Sequence, residues 1–402
     1  MSSRILNGSI ALPGSKSESN RVLMIAAYGG FTPEITNLSD AHDTVLLQRL
    51  LRQIGETKPG ETCIVDGEDA GTVTRFLLAY LATTPGDWIL TGSERMRQRP
   101  MKPLVDALRQ LGADIEYQGT EGFLPLSIKG HRLKGGPVRL DASQSSQFVS
   151  SLLMASPYWE QGLQLSLDGP LASQPYVEMT KALMRHFGAP CHYQSRAYEV
   201  SADWSAASYW YELAALSEGC DLLLKGLIKE SLQGDRKVAE CYRQFGVDTR
   251  FEEGGARLIK SMKQDSAANC NGLAQPLSFD LSDTPDLFPA LFVTCVALGV
   301  SVTFLGVRNL TLKESDRVGA MITELSKLYT FNAKAERDIL SISPSQPNVD
   351  TSIQITLSAH ADHRVVMALS PLKLFFPNLV FDHPEVVAKS YPTFWDQLQN
   401  LQ

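Results

Sequence analysis

Cysteine is sparse in this chain and never paired at short range. Its six copies (Cys63, Cys191, Cys220, Cys241, Cys270 and Cys295) are scattered over 402 residues with no C-x-x-C spacing. That excludes the usual structural zinc frameworks and a redox dithiol, and points to a reduced, cytoplasmic protein. Excess positive charge is also missing: 37 Lys and Arg against 44 Asp and Glu leave a net charge of −7. A nucleic-acid partner, which needs clustered excess cation, is therefore not expected. The start of the sequence lacks the charged-then-apolar pattern of a secretory signal. One charge-free run, Phe288 to Val307, is long enough for a membrane span, but Pro289, Thr294, Gly299, Ser301 and Thr303 interrupt it. It reads instead as a buried helix ending at Gly299 and a strand from Val300 to Leu305, with no membrane partner. Walker, G-x-G-x-x-G and H-E-x-x-H motifs are absent, so no cofactor is expected. His360 and His363 have no third ligand in register, so no metal is expected either.

What is present is an ordinary globular composition, 44% apolar and 20% charged, in a chain long enough for two domains of about 200 residues. The stretch Leu12-Pro13-Gly14-Ser15-Lys16-Ser17-Glu18-Ser19-Asn20-Arg21 breaks a strand pattern and opens a helix over Val22–Ala27. Hydroxyls, free backbone amides and two cations at a helix start suit a phosphate or carboxylate. Similar turn-to-helix junctions recur at Gly67–Thr72, Asp141–Gln147, Ala202–Ser208, Ser282–Asp286 and His360–Arg364. Between them lie amphipathic helices over Thr44–Ile54, Pro103–Leu111, Val177–Phe187, Lys237–Phe245 and Arg317–Leu328. Gly55, Gly112, Gly188 and Gly246 are their expected stops.

The pattern predicts an α/β protein of six units, each with two helices and about four strands. Three units per half make two similar domains, divided near Ser201-Ala202. Helix N-termini aimed at one cleft would draw a multiply charged anion into an acidic protein.

Ten motifs then appear in order. They are Leu-Pro-Gly-Ser-Lys-Ser-x-Ser-Asn-Arg at 12–21, Asp-Ala-Gly-Thr-x-x-Arg at 69–75, Arg-Met-x-x-Arg-Pro-Met at 95–101, Ser-Ser-Gln-Phe at 145–148, Ser-Gln-Pro-Tyr at 173–176, Gln-Gly-Asp at 233–235, Pro-Asp at 285–286, Asn-Leu-Thr-Leu-Lys-Glu-Ser-Asp-Arg at 309–317, Asp-His-Arg at 362–364 and Lys-Ser-Tyr-Pro at 389–392. In these the chain resembles the EPSP synthase (3-phosphoshikimate 1-carboxyvinyltransferase) family of enolpyruvyl transferases over nearly its whole length. The resemblance implies an inside-out α/β barrel fold, two domains each of three βαβαββ units. The first domain would span 14–201; residues 1–13 plus 202–402 would form the second, with hinge crossings near 13–14 and 201–202. It implies transfer of the enolpyruvyl group of phosphoenolpyruvate to the 5-hydroxyl of shikimate 3-phosphate, with phosphate released through a tetrahedral intermediate. A cytoplasmic monomer that closes on its ligands is expected.

The resemblance also assigns residues. Lys16 would touch both substrates. Ser17, Arg21, Ser145, Ser146, Gln147, Ser173, Tyr176, Asp286, Asn309 and Lys313 would bind shikimate 3-phosphate. Gly71, Arg99, Gln147, Arg317, Arg364 and Lys389 would hold phosphoenolpyruvate, the arginine forks matching its phosphate and carboxylate. Asp286 is the candidate base, Glu314 the candidate acid and Lys16 a competing proton carrier. Asp69 stands where the family usually has Asn, and needs either to turn away or to pair with a cation such as Arg75. Gln174 replaces a frequent basic residue, and Phe76 stands where some members have Pro. The alternatives are an enolpyruvyl transferase acting on UDP-N-acetylglucosamine, whose loop cysteine has no counterpart in Gly92–Lys102, and a non-catalytic anion-binding paralogue.

Overall fold

The computed structural model describes residues 5–261, 276–343 and 346–401; Cys270 lies outside them. The chain divides into two compact units, Met1–Gly14 with Ser201–Gln402, and Ser15–Val200.

One four-stranded sheet pattern recurs. In Ser15–Val200, strands Thr62–Asp66 and Gly86–Thr91 run parallel, joined through the helix Gly71–Thr83. After the helix Lys102–Gln110, Asp114–Tyr117 and Leu126–Gly130 complete a βαβαββ unit in which the fourth strand pairs with the second and the third lies at the edge. The other unit builds the same order twice. Ile5–Ala11 pairs parallel with Gly219–Lys225, followed in space by Gly255–Lys260 and Asp248–Glu252. Leu277–Asp280 pairs parallel with Val302–Leu305, followed by Ile339–Ile342 and Ala333–Glu336. A parallel pair needs a crossover, which is why a buried helix separates its strands in sequence. Elsewhere the described sheets are two-stranded, among them Gly136–Asp141 with Leu163–Asp168 and Ile355–Leu357 with Leu379–Phe381.

All six junctions open helices. Lys16–Gly29, Gly71–Thr83 and Ser146–Ala155 pack on one another in one unit; Trp204–Leu216, Phe288–Ala297 and His363–Leu369 do so in the other. These helices are core elements. Trp204–Leu216 buries every residue except Ser205, and Phe288–Ala297 every residue except Ala297. A helix apolar all round has no solvent face to offer. The other helices are amphipathic: His42–Glu56 buries Leu46, Leu47, Leu50 and Ile54 and exposes its remaining face. Each such side chain, fully buried, contributes about 1.5–3 kcal/mol.

The charge-free run splits into the helix Phe288–Ala297 and the strand Val302–Leu305, with Gly299 at φ 66 between them. No described helix is long and apolar enough to cross a membrane. Gly112, Gly188 and Gly246 take positive φ at their helix ends. Gly55 does not: its helix continues to Glu56 and stops at Thr57, ahead of the Pro59-Gly60 turn. The expected helix over Lys237–Phe245 is a 3-10 turn, Gly234–Lys237, running into a short α-helix, Val238–Arg243.

One charged residue sits deep in this core. Glu212 is fully buried, and neither carboxyl oxygen has a hydrogen-bond partner among the described residues. Burial holds its carboxyl well above the usual range. The folded state therefore needs a proton that the unfolded chain releases above its ordinary carboxylate pKa, and stability falls as pH rises from there. Glu212→Gln is expected to gain on the wild type by up to ~1.4 kcal/mol per pH unit through that window. Thermal unfolding of both proteins at pH 5, 7 and 9 measures this; a pH-independent difference would refute it.

Candidate active site

In Ser15–Val200 the candidate residues gather at helix starts. Ser15 caps the helix Lys16–Gly29, its side chain accepting from Glu18 N at 3.4 Å. The Lys16 ammonium lies 2.9 Å from the Asp43 carboxylate. Arg21, one turn further on, is buried. Its Nε donates to Thr180 Oγ1 at 2.7 Å and its Nη1 to the Ser17 carbonyl at 2.9 Å, and it lies over the rings of Phe76 and Tyr176. Burial lowers its pKa to about 10, so the guanidinium remains charged at neutral pH.

Gln147 joins two of the core helices. Its Oε1 accepts from Arg75 Nη1 at 2.7 Å, and its Nε2 donates to Thr72 Oγ1 at 2.9 Å. Ser145 caps the helix Ser146–Ala155, accepting from Gln147 N. Gly71 opens the helix Gly71–Thr83 directly against Arg99; a Cβ there would stand 2.5 Å from Arg99 Nη1. Ser173 precedes the helix Gln174–His186 at φ 53, and Glu68, His360 and Ala361 have positive φ at other junctions. Non-glycine residues held in this region store strain of about 1–3 kcal/mol each, a cost that concentrates at ligand sites.

In the unit containing Ser201–Gln402, Arg317 is the centre. It is 1% exposed, and each of its three nitrogens meets a different carboxylate: Nη1 with Asp286 at 2.9 Å, Nη2 with Glu314 at 2.8 Å and Nε with Asp362 at 2.8 Å. Arg364 Nη2 binds the other oxygen of Asp286 at 2.8 Å, and its Nη1 is 3.4 Å from the Tyr209 hydroxyl. Burial alone would raise the Asp286 pKa, but Arg364, Lys313 and Arg317 outweigh it and hold the carboxyl well below the usual range. Burial alone would lower that of Arg317, but Asp362, Glu314 and Asp286 keep it well above normal. Asn309 lies in the 3-10 turn Arg308–Leu312 just before Lys313, and buried Lys389 ends the turn Pro384–Lys389.

Sequence reading singled out Asp286, Glu314, Arg317 and Arg364, and the fold brings these four into one network. Asp286 does not cap its helix, which has no side-chain cap. The residues it missed are those that orient the cations. Asp362 caps the helix His363–Leu369 through Arg364 N and also accepts from Ser315 and Arg317. Its signal was an acid directly before an expected helix start. Thr72 likewise lies in a junction and in the motif at 69–75, whereas Tyr209 and Asp43 carried no comparable signal. Arg75 donates to Gln147 and to the Pro100 carbonyl. Asp69 groups with His42 and Asp43, their ligand atoms within 4.8 Å of one another. Lys16, on Asp43, places a positive charge beside that group.

Fold and charge together define the class. The structure aligns over 98% of the chain with an EPSP synthase from Acinetobacter baumannii (TM-score 0.72, 23% identity, 96% of that chain). It also aligns over 98% with the enolpyruvyl transferase NikO from Streptomyces tendae (TM-score 0.66, 15% identity, 95% of that chain). At these identities the likeness establishes the fold, that of an enolpyruvyl transferase. The sequence profile of EPSP synthase (3-phosphoshikimate 1-carboxyvinyltransferase) matches residues 2–398. A 3-phosphoshikimate 1-carboxyvinyltransferase of Bacteroides fragilis (strain ATCC 25285) is 41% identical, covering 98% of this chain and 95% of the relative. One of Syntrophobacter fumaroxidans is 36% identical, covering 99% and 97%. The chain belongs to the EPSP synthase family. Its activity is that of a 3-phosphoshikimate 1-carboxyvinyltransferase of the shikimate pathway, and the family implies shikimate 3-phosphate and phosphoenolpyruvate as substrates.

Two outcomes follow from the geometry. Gly71→Ala is expected to leave unfolding stability within about 0.5 kcal/mol, because only the end of a flexible side chain must move. Urea unfolding of both proteins tests this. Asp362→Asn retains a capping side chain but removes the charge facing Arg317. It is expected to cost about 1.5–3 kcal/mol, and Asp362→Ala a further ~1 kcal/mol for the lost cap, as read from urea midpoints.

Proposed function

We propose that Asp286 is the base that takes the proton of the 5-hydroxyl of shikimate 3-phosphate, and that Glu314, once it has taken up a proton from solvent, protonates the methylene carbon of phosphoenolpyruvate. The observation that carries this reading is the shared anchoring of both carboxylates on Arg317, with Arg364 on the far oxygen of Asp286. An acid and a base for two steps of one reaction need a fixed mutual geometry. The same arginines explain how the base is switched on. They hold Asp286 ionised but weakly basic. An incoming phosphate or carboxylate that takes Arg364 withdraws that counter-charge and returns Asp286 towards ordinary basicity. Asp286 and Glu314 exchange roles when the tetrahedral intermediate collapses and phosphate leaves.

Lys16 serves as the cation common to both substrates and as a proton carrier beside Asp43. Ser17, Arg21, Ser145, Ser146, Gln147, Ser173, Tyr176, Asn309 and Lys313 bind shikimate 3-phosphate. Gly71, Arg99, Gln147, Arg317, Arg364 and Lys389 hold phosphoenolpyruvate. The described cysteines are all free thiols, which supports a reducing, cytoplasmic setting, and we propose that the protein acts there as a monomer.

Phosphate release from phosphoenolpyruvate with shikimate 3-phosphate tests the assignment. Asp286→Asn should lower kcat by about 10²–10⁴-fold. Glu314→Gln should in addition slow solvent-deuterium entry into the phosphoenolpyruvate methylene. Exchange as fast as in the wild type would remove Glu314 from the acid role.

A further inference from the structure

Asp235 is a buried acid for which the roles above have no use. It follows Gln233-Gly234 in a turn bound to the start of the helix Trp204–Leu216. Gln233 accepts from Trp204 N at 2.8 Å and donates to the Ala202 carbonyl at 2.9 Å. Asp235 is 2% exposed. Its Oδ2 is hydrogen-bonded to Ser205 Oγ, while its buried Oδ1 has no partner among the described residues. The charges that act on it most strongly are Asp286 from the turn Pro285–Leu287, then Arg364 from the helix His363–Leu369, then Asp203 from the cap of the helix Trp204–Leu216; Arg236 and Lys237 follow it on its own turn. Cys241, on the short helix that follows it, is pushed up to about 11, chiefly by burial, with Asp235 adding to the shift.

Two paths tie this acid to the base. One is direct, through the fields of Asp286 and Arg364. The other runs along the helix Trp204–Leu216, where Ser205 and Tyr209 are one turn apart on one face. Ser205 holds Asp235, and Tyr209 meets Arg364, which binds Asp286. We propose that Asp235 is a positioning residue for Asp286, acting on the Asp286–Arg364 pair as a neutral carboxylic acid. This inference rests on the reading of Asp286 as the base.

Protonated, Asp235 leaves Arg364 wholly to Asp286. Ionised, it becomes a buried carboxylate within the field of Arg364, and it then competes with incoming phosphoenolpyruvate, as well as with Asp286, for one guanidinium. Burial first, then the Asp286 charge, raises its pKa to about 7, against the lowering effects of Ser205 and Arg364. Two acids whose surroundings drive them apart, one far below its normal range and one far above, divide the labour of holding charge and holding a proton.

The test is the pH profile of kcat/KM for phosphoenolpyruvate between pH 6 and 9. The wild type should show a descending limb centred near pH 7, falling about 10-fold for each further pH unit at first. Asp235→Asn, which cannot ionise, should lose that limb. Ser205→Ala removes a hydrogen bond that favours the ionised form and should move the limb to higher pH. A limb retained unchanged in Asp235→Asn overturns the proposal. If Asp235→Asn fails to fold, an unmoved limb in Ser205→Ala overturns it, and an upward shift supports it. Asp286→Asn separates the two readings: near-normal activity in that variant removes Asp286 as the base, whereas the Asp235 assignment stands or falls on the limb.

Discussion

The guanidinium of Arg317 is buried at the start of its helix with a different carboxylate on each nitrogen. Without it, Asp286, Glu314 and Asp362 would be three like charges crowded in a space that excludes water. Such a group either takes up protons or moves apart. The planar fork supplies three donors in fixed directions, so it sets the spacing of the acids as well as their charge. Lysine, with one point charge on a flexible stem, could neutralise the cluster but not orient it. Two helix starts meet on this arginine. Asp316 caps the helix that begins with Arg317, and Asp362 caps the helix that carries Arg364.

The same economy runs through Ser15–Val200, with a different chemistry. There the anchors are mostly neutral. Gln147 ties Arg75 to Thr72, Thr180 and the Ser17 carbonyl hold Arg21, and glycine at position 71 makes room for Arg99. Lys16 is held by a close carboxylate, Asp43. One unit therefore presents acids restrained by cations, and the other presents cations restrained by amides and hydroxyls. A protein of net charge −7 can attract anions in this way because local buried charge, less screened by water, outweighs a distant surplus of the opposite sign.

Much of this was legible before any coordinates. The six junctions show themselves as small polar residues before apolar runs too uniform to be amphipathic, and every one opens a buried helix. Asp286 and Arg364 stand out because they sit in such junctions, and Glu314 and Arg317 because they sit in the Asn-Leu-Thr-Leu-Lys-Glu-Ser-Asp-Arg motif at 309–317. Three glycines mark helix ends correctly, since φ is positive at each, but Gly55 misleads because glycine is tolerated within a last turn. Asp43, Tyr209 and Glu212 were not legible. Each lies inside an ordinary helical pattern, and what distinguishes it is a partner, or the lack of one, more than twenty residues away.

Local pattern therefore determined the elements: where helices start, which of them have no solvent face, and which strands must cross over to pair in parallel. These follow from backbone hydrogen bonding and the side-chain period, and both are properties of neighbouring residues. Only the tertiary structure decided the electrostatics. Whether Asp286 caps a helix or bridges two arginines, and whether Asp235 faces water or the buried side of Ser205, depends on residues about 30 to 80 positions away. Charge and burial act through space, and sequence spacing carries no measure of either.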